Sequence, residues 1–196
     1  MITKYEGFQG DISMSINRQK NQMDAKNQIN ALTRSALALA LSVLSLLIFR
    51  GTTSIFSAFI IPVVIALFSK RNEVLSFVYI ATSLIMMTVL FFQTQIIFII
   101  GYLLLSLVLK CFLMDAAMKV KFSFTGILKY LLAVMAILFM GIWLTQVIFL
   151  IPIHDMMLRF SNNHPLRYLG ILLVEGIAIT LVNLLFLKAM TSRIKF

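Results

Sequence analysis

Long apolar stretches separated by short polar links dominate this sequence and restrict what it can fold into. Six such stretches cover residues 32–49, 55–69, 74–92, 96–113, 124–151 and 166–187. A lipid bilayer leaves a backbone two solutions, the α-helix and the closed β-barrel, and barrel strands alternate apolar and polar residues. These stretches lack that alternation, and 61% of all residues are hydrophobic while 12% are charged. The sequence therefore predicts an all-α polytopic membrane protein, a bundle of six transmembrane helices.

The start of the chain differs from the rest in composition. Residues 1–30 are rich in Asn, Gln and charged side chains and have little apolar periodicity. They are predicted to form a polar cytoplasmic N-terminal arm, partly disordered or lying on the membrane surface, and residues 31–196 the six-helix transmembrane domain. The second apolar stretch, residues 55–69, is short for a span and contains Pro62. It is expected to be tilted, kinked or partly re-entrant.

The distribution of basic residues predicts the orientation of the bundle. Six crossings place both termini on one side, and cytoplasmic segments are enriched in Lys and Arg. With cytoplasmic termini, fourteen of the seventeen basic residues lie inside, and the other three, Arg50, Arg159 and Arg167, lie outside. The net charge of +10 then reflects topology and contact with anionic lipid, so no nucleic-acid partner is expected. The predicted location is the cell membrane.

Three residues in the fifth and sixth stretches are candidates for a ligand site. Glu175 is the only acidic residue well inside a predicted span, roughly 12 Å below Arg167 along a helix. A carboxylate at that depth is costly, so it should face the bundle interior and meet either a ligand or a neighbouring helix. Trp143 and Gln146 share a helix face at a similar depth. Together the three suit a flat polar ligand, uncharged or cationic, although Trp143 is equally well explained as an interfacial anchor.

The longest predicted outer loop precedes the sixth stretch and is rich in polar residues. Besides Asp155 and Arg159 it contains the candidate ligand-binding residues His154, Asn162, Asn163 and His164. It is expected either to close over the pocket as a lid or to be an ordinary hydrated connection. The spacing of its histidines matches no familiar metal site, so neither metal nor cofactor is predicted.

Small residues in the first stretch suggest a helix–helix contact. Ala36 and Ala40 are four residues apart and form a flat strip that another helix can approach closely. Asn183, in the inner part of the sixth stretch, is predicted to hydrogen-bond a neighbouring helix rather than a ligand. The single cysteine, Cys111, excludes an internal disulfide.

With six predicted helices, cytoplasmic termini and an alanine-x-x-x-alanine pair at Ala36 and Ala40, the chain resembles the substrate-binding S components of energy-coupling-factor vitamin transporters. The resemblance covers roughly residues 32–196 and rests on this layout and one short motif. It implies that Ala36 and Ala40, together with Ala38, dock on a transmembrane scaffold subunit driven by two ATPase subunits. It also implies a ligand near the outer face, where Trp143 and Glu175 are expected.

The sequence therefore predicts a subunit that captures a small water-soluble, vitamin-like nutrient from outside and borrows ATP hydrolysis from its partners. No nucleotide-binding, metalloprotease or serine-hydrolase motif is present, so the chain itself is not expected to be an enzyme. One alternative is a structural or regulatory membrane protein that works through helix–helix contacts and has no substrate. Another is an intramembrane enzyme that acts on lipid through His154, Asp155 or His164.

Overall fold

The computed structural model describes residues 4–49, 55–69, 74–114, 120 and 123–193, and these are almost entirely helical. Short 3₁₀ helices occupy Ile55–Phe59 and Gln93–Gln95, and one isolated antiparallel bridge joins Met114 to Val120. The α-helices in chain order are α1 (Lys4–Ile48), α2 (Ile61–Phe68), α3 (Val74–Phe91), α4 (Ile96–Leu113), α5 (Phe124–Phe149), α6 (Ile153–Phe160) and α7 (Pro165–Arg193). The predicted all-α class is confirmed.

Five helical segments in the described ranges are long and apolar enough to cross a membrane. They are Gln28–Ile48, Val74–Phe91, Gln93–Leu113, Phe124–Phe149 and Pro165–Ser192. These segments identify a multi-pass helical membrane protein. A sixth long span is not found in the described ranges: residues 55–69 form the first 3₁₀ helix and then α2, which has eight residues. Eight helical residues extend about 12 Å, well short of the ~30 Å hydrocarbon core.

The predicted N-terminal arm is described from Lys4 onward. Residues 4–48 form one continuous helix, so the polar arm is helical from Lys4 onward and runs directly into the first span. The chain has no proline before Pro62. Once the apolar segment is helical, extending that helix through proline-free sequence requires no new nucleation.

Contacts between helices give their relative directions. α1 and α3 are parallel, because the start of the α1 span lies beside the start of α3 and Ala36 lies beside Ser83 further along. The end of α4 lies beside the start of α3, since the Lys110 ammonium is 5.7 Å from the centre of the Phe77 ring. α3 and α4 are therefore antiparallel.

The same reasoning orders the remaining long helices. A Cβ at Gly126 would lie 2.7 Å from the carbonyl oxygen of Phe112, so the start of α5 meets the end of α4. Asn183 bonds Tyr130, while Tyr168 packs on Phe139, so α7 is antiparallel to α5. The α1 span consequently begins, and α7 ends, at one end of the bundle, which we call the lower end; α6 lies at the upper end.

The core is built around the short helix α2. All eight of its residues are buried, and it packs against α1, α4 and α7. Four of the buried α1 residues are small and follow three- and four-residue spacing, which permits close approach of a neighbouring helix: Ser35, Ala38, Ser42 and Ser45. The larger Leu46 is buried beside them. At the end of α2, Ser69 donates to the Ile65 carbonyl and accepts a hydrogen bond from Lys110. This chain of bonds satisfies a helix end that neither lipid nor water can reach.

Candidate functional site

The upper end of the bundle brings α5, α6 and α7 together. α5 ends at Leu150, whose backbone is left-handed with φ of 56°, and Pro152 immediately precedes α6. The side-chain oxygen of Gln146 accepts a hydrogen bond of 3.1 Å from the backbone N–H of Asp155. This bond ties the first turn of α6 to the last turns of α5. α6 also packs against α7, so it covers the space between the two longer helices.

Tyr168, near the start of α7, is the centre of an aromatic cluster. Its ring is buried and meets Phe139 of α5 edge-on, with 6.3 Å between ring centres. His154 of α6 meets the same ring edge-on at 5.4 Å. His154 Nδ1 lies 3.7 Å from a carboxylate oxygen of Asp155. Edge-to-face packing on two sides fixes the position of the Tyr168 ring.

Four buried side-chain polar atoms on α7 lack hydrogen-bond partners among the residues described. Thr180 Oγ1 and Asn183 Oδ1 lie nearer the lower end, and the two nearer the upper end are the hydroxyl oxygen of Tyr168 and the Oε2 atom of Glu175. The two residues are seven positions apart, which places them on one side of α7 about 10.5 Å from each other along the axis. The Tyr168 hydroxyl is within electrostatic range of the Glu175 carboxylate. A ligand with hydrogen-bond donors would satisfy the carboxylate oxygen, whose lone pairs are otherwise unused.

Glu175 itself is only half-buried and lies at the edge of the buried face of α7. The expectation that it faces the bundle interior therefore holds for Oε2 but not for the whole side chain. Trp143 lies one turn from Phe139 on the same side of α5 and is 45% exposed. It borders the Tyr168 cluster rather than lying within it. A ligand-binding role for Trp143, Gln146 or Glu175 stays a prediction.

The polar residues of the predicted lid separate into two groups. His154 lies on α6 and contacts Tyr168. Asn162 and Asn163 form the exposed turn between α6 and α7, with φ of 54° and 57°, and asparagine tolerates this left-handed backbone better than most residues. The His164 carbonyl accepts a hydrogen bond of 3.1 Å from Tyr168 N–H, within the first turn of α7. The backbone geometry of the turn thus accounts for the asparagine pair without a ligand.

Two interhelical hydrogen bonds lie deeper in the bundle. Asn183 Nδ2 donates to the Tyr130 hydroxyl at 2.7 Å, and both residues are fully buried. This bond confirms the prediction that Asn183 joins two helices. Lys110 donates to Ser69, which connects α4 to the end of α2. No sequence pattern predicted this second pair, because Lys110 resembles any other basic residue near the predicted cytoplasmic end of a span.

The alanines of α1 do not all share one environment. Ala36 and Ala40 are exposed, so the strip they form is available to a partner. Ala38 is 0% exposed and packs in the core, so it is unavailable for docking, unlike the expectation from the resemblance. Its neighbours on the buried side are serines rather than alanines. The docking prediction accordingly applies to Ala36 and Ala40.

No protein-family model, curated protein or solved structure matches this chain.

Proposed function

We propose that this protein is the solute-binding subunit of a transporter in the cell membrane and captures a small water-soluble, vitamin-like nutrient at its upper end. The observation that supports this proposal is the pair of buried, unpartnered atoms nearest the upper end of α7, the Tyr168 hydroxyl and Glu175 Oε2. Leaving a buried polar atom unsatisfied costs about 1–3 kcal/mol. A solute that bonds both atoms offsets this cost. α6, tied to α5 through Gln146, acts as the cover that retains the solute.

The proposal includes six membrane crossings with both termini in the cytoplasm. The first 3₁₀ helix and α2 together make the short crossing. The parallel directions of α1 and α3 support it, because the chain must return from the upper to the lower end between them. The excess of basic residues on the proposed cytoplasmic side supports the orientation.

Cysteine labelling tests this topology. In a Cys111→Ser background, Asn163→Cys should react with a membrane-impermeant maleimide in intact cells, whereas Lys26→Cys and Ser192→Cys should react only after permeabilisation. All three positions are exposed on the protein. Labelling of Lys26→Cys and Ser192→Cys from opposite sides would contradict an even number of crossings.

We propose further that ATP hydrolysis belongs to partner subunits, a transmembrane scaffold and two ATPases as in the transporters that the chain resembles. The exposure of Ala36 and Ala40 supports docking on this side of α1. Ala40→Leu should reduce co-purification of such partners from the native host. Ala136→Leu is the matched control, because Ala136 is an exposed alanine on α5. Equal recovery of partners with both variants would argue against docking at Ala40.

The solute is tested by mass spectrometry of small molecules released when the purified protein is denatured, using cells grown in rich medium. A stoichiometric water-soluble compound is expected from the wild type and from Tyr79→Phe, which alters an exposed tyrosine on α3. Glu175→Ala should weaken binding of that compound about 10- to 100-fold, the range for a lost hydrogen bond to a charged group. Release of lipid alone, with no thermal stabilisation by a vitamin panel, would refute the proposal.

A second candidate is a structural or regulatory membrane protein without a substrate. It is favoured by the two interior polar pairs, Asn183 with Tyr130 and Lys110 with Ser69, which serve helix packing only. This candidate predicts that Glu175→Gln leaves stability unchanged or raises it and that no small molecule is recovered. The release experiment therefore separates the two functions.

A further inference from the structure

A groove runs between α1 and α3 at the lower end of the bundle. Its lower part has a volume of about 440 Å³ and is lined by Gln28, Ile29, Ala31, Leu32, Leu75, Ser76 and Tyr79. Its upper part, about 190 Å³, shares Leu32 and Tyr79 with the lower part and adds Ser35, Ala36, Leu39, Ile80 and Ser83. We call the two parts together the lower groove. It lies far from Tyr168 and Glu175, which are in α7.

The length of the lower groove distinguishes between possible occupants. It follows α1 from Gln28 to Leu39, a rise of about 16 Å. This is close to half of the ~30 Å hydrocarbon core, which is the depth of one leaflet. A transmembrane helix from another protein crosses both leaflets and would extend beyond the groove, which ends at Leu39 and Ser83. A lipid acyl chain ends at the bilayer centre, as the groove does.

The chemistry of the groove changes along its length. Its upper part has mostly apolar walls, including Leu39 and Ile80. At its lower end the Gln28 amide lines the groove, and the exposed Lys26 precedes Ile29 by three residues on the same helix. Two further basic residues, Lys70 and Arg71, closely precede α3 in the sequence. Ammonium and amide groups at the mouth of an apolar slot are donors suited to a phosphate.

We propose that the lower groove binds an anionic phospholipid, with one acyl chain between α1 and α3 and the phosphate at Lys26 and Gln28. Basic pockets between transmembrane helices attract anionic headgroups, and each lysine near the membrane surface contributes enough to change affinity about five-fold. The proposal is independent of the solute site, because it uses other helices and the opposite end of the bundle.

The test is native mass spectrometry of the full chain in detergent, titrated separately with phosphatidylglycerol and phosphatidylcholine. The wild type should bind one phosphatidylglycerol at least ten-fold more tightly than phosphatidylcholine. Ala31→Phe fills the lower part of the groove and should abolish this binding, whereas Ala136→Phe on the exposed side of α5 should leave it unchanged. Lys26→Gln should lower the preference for phosphatidylglycerol about five-fold. Lys129→Gln, the charge-matched control on α5, should not.

Three results would overturn the proposal. If the wild type binds the two lipids with equal affinity, the groove does not select an anionic headgroup. If Ala31→Phe binds phosphatidylglycerol as tightly as the wild type does, the lipid binds elsewhere. If that variant does not fold, Ser83→Phe, in the upper part of the groove, tests in the same way whether the lipid occupies the groove. Cross-linking of Ile29 or Leu75, in the lower part of the groove and outside the strip formed by Ala36 and Ala40, to a helix of another protein in native membranes would identify a protein occupant instead.

Discussion

Gly101 gives a stringent test of how α4 and α5 pack. It is buried, and an added Cβ would lie 2.5 Å from the Cγ2 methyl of Ile137. An isoleucine in a helix is held in one χ1 rotamer about 90% of the time, so this methyl group cannot turn away. Overpacking of this kind costs about 1–3 kcal/mol, and the gain in helix propensity from Gly to Ala returns up to ~1 kcal/mol. Gly101→Ala should therefore lower the free energy of unfolding by about 1–2 kcal/mol, measured by SDS titration in mixed micelles.

Two further variants isolate the steric contact. At Gly170 nothing lies within 4 Å of an added Cβ, so Gly170→Ala should leave stability unchanged or raise it by up to ~1 kcal/mol. In an Ile137→Ala background the space next to Gly101 is open, and Gly101→Ala should cost nothing. The difference between the two backgrounds is the coupling energy, about 1–3 kcal/mol. An equal cost in both backgrounds would refute the contact with Ile137 as the reason for a glycine.

The two interior hydrogen bonds should also be measurable by SDS unfolding. Lys110→Met removes the donor to Ser69 and should lower stability by about 1.5–3 kcal/mol, whereas Lys129→Met removes an exposed ammonium 5.1 Å from the centre of the Phe112 ring and should cost no more than about 0.5–1 kcal/mol; equal effects would contradict a stabilising bond between Lys110 and the end of α2. Tyr130→Phe removes the acceptor for Asn183 and should cost about 0.6 kcal/mol, up to ~1.7, and a stabilised variant would contradict that bond.

The long spans could be predicted from the sequence, because a helix that crosses a lipid bilayer needs mostly apolar side chains. The third, fourth and fifth apolar stretches were expected at residues 74–92, 96–113 and 124–151, and the helices occupy Val74–Phe91, Ile96–Leu113 and Phe124–Phe149. A polar residue or a proline lies within two residues of each end of these stretches, and a helix must satisfy its own backbone polar groups across the hydrocarbon core. Local sequence therefore predicts the helix ends to within two residues.

The short helix α2 could not be predicted in the same way. Residues 55–69 are as apolar as a span, yet α2 is surrounded by protein rather than lipid, and both environments select the same side chains. A signal was nevertheless present in the preceding segment. The three- and four-residue spacing of Ser35, Ala38, Ser42 and Ser45 marks a small-residue face. The pair Ala36 and Ala40, from which a helix–helix contact was predicted, lies on the exposed side of the same helix.

The candidate site, too, was predicted only in part from the sequence. Glu175 was identified because a lone carboxylate in an apolar stretch has a high cost wherever it points. Tyr168 was missed, since a tyrosine near the start of a span is usually an interfacial anchor. Its importance comes from Phe139 and His154, which reach it from two other helices. Contacts of that kind depend on how helices cross, which a single sequence does not encode locally.

Ser42 and Ser45 allow the small-residue face to be tested directly. Other buried hydroxyls in the bundle donate to a carbonyl three or four residues earlier, as Thr88 does to Leu84 and Thr145 to Gly141. The hydroxyls of Ser42 and Ser45 are buried and have no partner within the described ranges. They therefore contribute small volume, which lets a neighbouring helix approach α1, rather than hydrogen bonding.

Ser42→Ala should accordingly leave stability unchanged or raise it by about 1 kcal/mol, because it removes an unsatisfied hydroxyl and improves helix propensity. Ser42→Leu should lower stability by about 1–3 kcal/mol or more, since the larger side chain would push the neighbouring helix away from α1. Both variants are compared by SDS titration, with Leu44→Ala on the exposed side of α1 as a control for changes outside the buried face. A loss of stability in Ser42→Ala would contradict the steric explanation and would mean that the hydroxyl bonds a partner in the membrane. In that case the buried face of α1 would hold a bound water or ligand, and the neighbouring helix would be positioned by that molecule rather than by close packing alone.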